Sequence, residues 1–343
     1  MRPPRTAGRC TGLRIGACAL AAGFIMAVPA KPAVAEDQAA PAPTASTPAS
    51  KPAPTLSPST AMPEEDADPA YTALQRGKYR TALDLAVSRA NARGDAAAMV
   101  LAGDLLSQGY GVRQDPTAAR KWYEAAAVKG NADALFTLGA VLMASPAAIN
   151  KEQAVAFFRQ AAENGNARAA YNLGLLYLQG EVAPKEPAIA AEWFRRGAEN
   201  DQPDALYALA TLYRDGNGVP RDPIESARLL QRASEVGNDV ATTELAIAAF
   251  NGAGIPKDEE RAAALFRKAA LQGNAIAQNR YARILSAGRG APKDVIAAAG
   301  WHLVAKAQKL DDPLLDKLVA GLTPEQRAEA ETRIKPWSPG TAY

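Results

Sequence analysis

Histidine and cysteine are nearly absent from this chain of 343 residues. It has one histidine, His302, and two cysteines, Cys10 and Cys18, both near the N-terminus. A single histidine without thiolates cannot supply the three or four protein ligands of a usual zinc site. Thiol chemistry is likewise confined to the first 18 residues. We therefore predict no metal site, no cofactor and no disulfide in the rest of the chain.

Patterns that accompany common catalytic sites are also missing. No serine is followed three residues later by lysine, which excludes the nucleophile motif of penicillin-recognising enzymes. Glycine pairs such as Gly216-x-Gly218 and Gly252-x-Gly254 lack the third glycine and the lysine of phosphate-binding loops. The sequence therefore predicts no catalytic residues and a protein that is not an enzyme.

Acidic residues are missing from the first 35 residues, which contain four arginines and Lys31. An apolar run over residues 15–28 and the small-residue site Ala33-Val34-Ala35 complete the pattern of a secretory signal peptide. The run is shorter than the ~20 residues that a membrane-spanning helix needs. We predict that residues 1–35 are removed, which leaves a periplasmic or secreted protein without a transmembrane segment.

The net positive charge of the chain belongs to this leader. The whole sequence has 39 basic and 36 acidic residues, whereas 34 basic and 36 acidic residues remain beyond residue 35. Nucleic-acid binding therefore has no electrostatic basis. Residues 36–68, rich in Pro, Ala, Ser and Thr, cannot bury enough apolar surface to offset their ordering entropy. They are predicted to form a disordered linker.

Beyond the linker, a unit of about 36 residues occurs six times. Its small-residue landmarks are separated by 36, 35, 36, 36 and 36 residues: Gly103, Gly139, Gly174, Ala210, Ala246 and Ala282. In five units a glycine follows six residues later: Gly109, Gly180, Gly216, Gly252 and Gly288. Self-similarity at this period predicts a solenoid, in which each unit buries its apolar face against its neighbours.

Each unit has the signals of two helices joined by a tight turn. The glycine after the landmark suits a helix C-cap with positive φ. Asp115-Pro116 and Asp222-Pro223 combine an N-cap acceptor with a proline suited to the first helical turn. Only the second unit replaces the glycine turn, with Ser145-Pro146-Ala147, and it is one residue shorter.

A bulky pair lies seven residues after each cap and is predicted to face the small landmarks of neighbouring helices. The pairs are Trp122-Tyr123, Phe157-Phe158, Trp193-Phe194, Leu229-Leu230, Leu265-Phe266 and Trp301-His302. Trp193 is interpreted as a buried knob whose truncation to alanine costs about 3 to 5 kcal/mol. His302 occupies a position that is aromatic in other units, so we expect it to pack rather than to catalyse.

These motifs resemble the Sel1-like repeat, a relative of the tetratricopeptide repeat. The resemblance rests on segments such as AAYNLGLLYLQG at 169–180, ALYALATLYRDGNGVPRDP at 205–223, and the unit ends KGNADA, NGNARA, VGNDVA and QGNAIA. It implies an all-α fold, a right-handed α-solenoid of helix-turn-helix repeats. We expect six repeats at 95–310, an N-terminal helical cap at 69–94, C-terminal capping helices at 311–335 and a disordered tail at 336–343.

The resemblance also suggests where a partner binds, because first helices line the concave side of the related tetratricopeptide superhelix. The position three residues before the landmark holds Val100, Phe136, Tyr171, Tyr207, Thr243 and Asn279. Phe136, Tyr171 and Tyr207 form a row of aromatic residues, and Leu175, Leu178 and Arg214 accompany it. Such residues either form a binding hot spot or pack between repeats, and the sequence leaves both open.

The predicted function is that of an exported scaffold or regulator, a monomer that binds an unidentified envelope or periplasmic protein or peptide. Exported members of this family commonly serve as adaptors, which is what the resemblance implies here. Two alternatives are a secreted effector that acts on a host and an enzyme of cell-wall or β-lactam chemistry. The missing Ser-x-x-Lys motif argues against the enzyme.

Overall fold

The computed structural model describes residues 68–335, and the predicted signal peptide at 1–35, the linker up to residue 67 and the tail at 336–343 lie outside them. The described chain is helical: α1 Pro69–Gln75, α2 Tyr79–Arg93, α3 Ala96–Gln108, α4 Pro116–Val128, α5 Ala132–Met143, α6 Ala148–Glu163, α7 Ala167–Gln179, α8 Pro187–Glu199, α9 Pro203–Asp215, α10 Pro223–Glu235, α11 Asp239–Asn251, α12 Glu259–Leu271, α13 Ala275–Ala287, α14 Val295–Ala307, α15 Pro313–Ala320 and α16 Pro324–Ile334.

Helices α3 to α14 form six pairs, one for each predicted unit. We call α3, α5, α7, α9, α11 and α13 the first helices, and α4, α6, α8, α10, α12 and α14 the second helices. Each first helix packs most extensively against the second helix of its own repeat, and each second helix then packs against the first helix of the next repeat. This order of contacts confirms the predicted all-α solenoid.

The local signals in the sequence end and start the helices as expected. Gly216 closes α9 in the left-handed conformation, with φ of 68°, and its N–H donates to the Leu212 carbonyl. Asp222 then caps α10 by accepting from the N–H groups of Ile224 and Glu225, both at 3.0 Å. In the second repeat, α6 starts after Ala147, which has no capping side chain, and it runs for 16 residues.

The second member of each bulky pair is buried, and in the fourth and sixth repeats the first member, Leu229 or Trp301, is buried as well. Tyr123, Phe158, Phe194, Leu230, Phe266 and His302 are all between 0 and 5 % exposed. A Cβ atom added to Gly103 would lie 2.6 Å from the Tyr123 ring, and one added to Gly139 would lie 2.8 Å from the Phe158 ring. These rings pack directly over the backbone, so the landmark positions 103 and 139 have no room for a side chain.

Trp193 does not have the burial predicted for it. Its side chain is half-buried, and the Arg196 guanidinium carbon lies 4.6 Å from the centre of the ring. The neighbouring Phe194 is fully buried instead. Two adjacent residues project about 100° apart around a helix, and on α8 it is Phe194 that points into the core.

Extra helices cover both ends of the repeat array. Helix α2 packs against α3, and α16 packs against α14. The contact with α16 is made at Gly300, where an added Cβ would lie 2.6 Å from Ile334. In the other repeats the corresponding residue is exposed: Lys121, Ala156, Glu192, Arg228 and Ala264. Helix α16 therefore covers a face that is open to solvent elsewhere, and Thr323 and Gln326 form the predicted capping box at its start.

One first helix lacks the cap that most others share. Asn131, Asn166, Asn238 and Asn274 each accept a hydrogen bond from the third N–H of the helix that follows. Gln202 occupies the same position before α9, already has extended backbone and makes no capping bond. We expect Gln202→Asn to raise the free energy of unfolding by about 0.5 to 1 kcal/mol, measured by urea denaturation. The exposed change Gln231→Asn in α10 is the control and should give no gain.

Candidate functional site

The row of Phe136, Tyr171 and Tyr207 lies on three consecutive first helices, α5, α7 and α9. All three rings are half-buried. The Phe136 ring centre lies 5.7 Å from that of Phe158, and the Tyr171 ring centre lies 5.8 Å from that of Phe194. Two rings of the row thus pack against the buried aromatic residue of their own repeat. The sequence left open whether these side chains pack between repeats or are accessible to a partner. In the structure the same side chains do both.

The Phe136 ring also contacts the next repeat. The guanidinium carbon of Arg168, which lies on α7, is 4.6 Å from the ring centre. The same guanidinium approaches the Asp133 carboxylate at 3.5 Å. Arginine on an aromatic face with a carboxylate beside it is a favourable arrangement. At the Phe136 end of the row, Arg168 of α7 therefore already occupies the ring face of Phe136 and the carboxylate of Asp133 on α5.

The two tyrosine hydroxyls are less well satisfied. Among the described residues, neither the Tyr171 hydroxyl nor the Tyr207 hydroxyl has a hydrogen-bond partner. Burial of the ring, and then the nearby charge of Asp204, raises the pKa of Tyr171 to about 12. Burial, and then the charge of Glu244, also raises the pKa of Tyr207. Both hydroxyls remain protonated at neutral pH and can serve a ligand as donors or acceptors.

The residues predicted to accompany the row differ in their accessibility. Leu178 is half-buried, whereas Leu175 is 2 % exposed and belongs to the core, so it supports the row rather than contacting a partner. Arg214 is exposed and is engaged within the protein. Its guanidinium pairs with Asp215 at 2.9 Å and with Glu244 at 3.2 Å.

Sequence reasoning missed a set of carboxylates near the start of the first helices. Asp133 and Asp204 are the second residues of α5 and α9, and Asp239 is the first residue of α11. Each accepts a hydrogen bond from the asparagine that caps the next first helix: Asn166 to Asp133 at 2.8 Å, Asn238 to Asp204 at 3.2 Å and Asn274 to Asp239 at 2.9 Å. We call these three bonds the asparagine ladder. Its signal is visible in sequence as an aspartate one or two residues after a capping position.

Asp204 has an unusual environment within this set. Its side chain is exposed, yet partial loss of water around the carboxylate, and then the charge of Asp239, raise its pKa. Within the described part of the chain neither Asp204 nor Asp239 has an ion-pair partner. Asp204 also lies close enough to Tyr171 to affect its titration. The row of aromatic residues and these carboxylates therefore share one surface, which we call the first-helix surface.

The six repeats match a known protein family. The Sel1 repeat matches residues 96–131, 132–166, 167–202, 203–238, 240–274 and 275–309, in phase with the six helix pairs. The chain belongs to the Sel1 repeat family. A comparison with curated proteins gave no match.

Solved structures of Sel1 repeat proteins resemble this one. A Sel1 repeat protein from Oxalobacter formigenes has 29 % sequence identity and a TM-score of 0.61, and the match covers 74 % of this chain and 77 % of that one. A second is c5321, a protective antigen present in uropathogenic Escherichia coli strains that displays an SLR fold. It has 26 % identity and a TM-score of 0.49, with 76 % of this chain and 65 % of that chain covered.

Sel1 repeats indicate a scaffold for protein–protein interaction, and the geometry of this Sel1 repeat protein agrees with that class. Over residues 68–335 there is no group of three or more potential metal ligands, and no helix combines the length and apolarity needed to cross a membrane. His302 is fully buried, and its Nε2 lies 2.9 Å from the Asp316 carboxylate. It joins α14 to α15, which agrees with its predicted packing role.

Proposed function

We propose that this Sel1 repeat protein is exported and that it binds a segment of another envelope protein on its first-helix surface. The observation that carries the proposal is the pair Tyr171 and Tyr207. Each side chain is half-buried and has a hydroxyl without a hydrogen-bond partner among the described residues. Tyrosines of this kind are favoured in binding hot spots because they offer a large contact area with few rotatable bonds.

Export is supported by the sequence of residues 1–35, which has a basic start, an apolar run and a small-residue cleavage site. The chain beyond these residues contains no cysteine, so an oxidising compartment does not change its chemistry. Intact-mass analysis of the exported protein should give a chain that begins at Glu36. Cell fractionation should then place it in the periplasm. Recovery mainly from the culture medium would favour the alternative of a secreted effector.

In-cell crosslinking tests where the partner binds. A photoreactive phenylalanine analogue placed at Tyr207 should form crosslinks to a discrete envelope protein. The matched control is the same analogue at Val128, which is 90 % exposed at the end of α4, a second helix. Crosslinks of equal yield from both positions, or only from position 128, would contradict binding on the first-helix surface.

Variants of the tyrosines separate binding from packing. Because Tyr171 is half-buried, Tyr171→Ala should lower the free energy of unfolding by about 1 to 2 kcal/mol and leave the protein folded. Capture of the crosslinked partner by this variant should fall by at least fivefold, as expected for a hot-spot residue. Tyr171→Phe keeps the packing and should retain most of the stability. A loss of stability in Tyr171→Ala without any loss of capture would assign the ring to packing alone.

A further inference from the structure

We infer that the segment held on the first-helix surface is cationic, an extended stretch that carries arginine or lysine at regular spacing. This inference rests on the proposed function and adds the chemistry of the partner. Three features of the molecule support it: the distribution of charge between the two sets of helices, the pairing of the arginines already present, and the position of Asp204 near Tyr171.

Charge is divided between the first and second helices. The first helices α3 to α11 contain six acidic and two basic residues, whereas the second helices α4 to α12 contain nine acidic and eleven basic residues. The first helices of repeats one to five thus have an excess of negative charge that the second helices do not share, whereas α13 of the sixth repeat contains Arg280 and Arg283 and no acid. A surface of one sign attracts and orients a partner of the opposite sign.

The two arginines on these first helices do not offset this excess. Arg168 is held over the Phe136 ring and beside Asp133. Arg214 is held by Asp215 and Glu244. Both guanidinium groups are therefore occupied by neighbours. Of the six acids on these helices, Asp133, Asp215 and Glu244 are paired with these arginines, and Asp104 accepts a hydrogen bond from the Tyr123 hydroxyl. Asp204 and Asp239 have no ion-pair partner among the described residues, and Asp204 lies near Tyr171.

Asp204 and Tyr207 are three residues apart on α9, so their side chains lie on the same face of the helix. Tyr171 approaches Asp204 from α7, and these two helices are in direct contact. A carboxylate near the Tyr171 ring and on the same face of α9 as Tyr207 offers an ion pair together with aromatic faces, and both interactions favour an arginine or lysine side chain. A bound cation would also supply the counter-charge that Asp204 and Asp239 lack.

The spacing of these groups suits an extended peptide. Packed helices lie roughly 8 to 10 Å apart. An extended chain of the polyproline type has three residues per turn and rises about 3.1 Å per residue, so every third side chain returns to the same face after about 9 Å. Basic residues at every third position could therefore meet Asp204 on α9 and Asp239 on α11 together.

Three synthetic peptides test the inference. The peptides are 12 residues long, fluorescently labelled and identical except that every third residue is arginine, glutamine or glutamate. Purified protein lacking residues 1–35 should bind the arginine peptide, with affinity that falls as salt increases. Asp204→Asn should weaken this binding by about three- to fivefold. The double variant with Asp239→Asn should weaken it further. Asparagine at 204 keeps the acceptor that Asn238 uses, so the fold should be preserved.

A second acid serves as the control. Glu192 is exposed on α8, a second helix, and Glu192→Gln removes the same charge at a site away from the tyrosines. It should leave the binding of the arginine peptide unchanged. Equal weakening by Glu192→Gln and Asp204→Asn would show non-specific attraction and would overturn the inference.

The remaining outcomes separate this inference from the proposed function. No binding of the arginine peptide, or equal binding of all three peptides, would overturn a cationic partner. If crosslinking from position 207 still captured an envelope protein, the proposed function would stand with a partner of different chemistry. Conversely, binding of the arginine peptide at Asp204 without any crosslinked partner in cells would support the charge preference and count against the proposed function.

Discussion

Phe194→Ala is expected to lower the free energy of unfolding by about 3 to 5 kcal/mol. The ring is fully buried and packs directly over the backbone of Gly174, with the Tyr171 ring beside it. Truncation would leave a cavity between α7 and α8. Chemical denaturation of the purified protein measures the loss.

Trp193→Ala is the matched control for Phe194→Ala. The indole is half-buried under Arg196, so its removal should cost only about 1 to 2 kcal/mol. Because each repeat contacts only its neighbours, hydrogen exchange in Phe194→Ala should increase mainly in the second to fourth repeats. Uniform loosening from Pro69 to Lys335, or a larger loss in Trp193→Ala, would contradict this account.

Gly254→Ala is the second change for which we expect a large effect, about 2 to 5 kcal/mol of destabilisation. Gly254 has a φ of 74°, and a Cβ atom there would collide with the backbone carbonyl of Pro223 at the start of α10 in the preceding repeat. The conformation and the collision both oppose a side chain. Thermal and urea unfolding of the variant should show the loss.

Gly252→Ala separates these two contributions. Gly252 has nearly the same φ, 75°, but the atoms nearest to a Cβ there would all belong to Lys257 of the same repeat, the first of them at 3.3 Å. Its replacement should cost about 1 to 2 kcal/mol, the conformational part alone. If both variants lost the same stability, the close approach between repeats would contribute nothing. These glycine pairs are thus turns that bring repeats together.

The helices could be predicted from sequence because their ends depend on local chemistry. Gly216 and Asp222 act on backbone groups within a few residues, so their effect can be read without knowledge of the fold. The choice between Trp193 and Phe194 depends on which side of α8 faces the neighbouring helices. That is a tertiary property, and the larger residue of a pair is not always the buried one.

The candidate surface was only partly predictable for a similar reason. The repeat position of Phe136, Tyr171 and Tyr207 followed from the period of the sequence. Their half-burial depends on the buried rings that they pack against. Leu175 lies in the core instead of on the surface because of how α7 packs against its neighbours. The carboxylates Asp204 and Asp239 were missed because single acids on a helix usually indicate only solvation.

The asparagine ladder and the α16 contact have opposite consequences for how the array can change in length. Ladder bonds join residues 33 to 35 positions apart, so an internal duplication of one whole unit, such as residues 203–238, would reproduce the same bond and extend the surface by one step. Addition after α14 is different, because Gly300 is fitted to Ile334 of α16 and not to another repeat. Growth of this protein by duplication is therefore permitted inside the array and blocked at its C-terminal end.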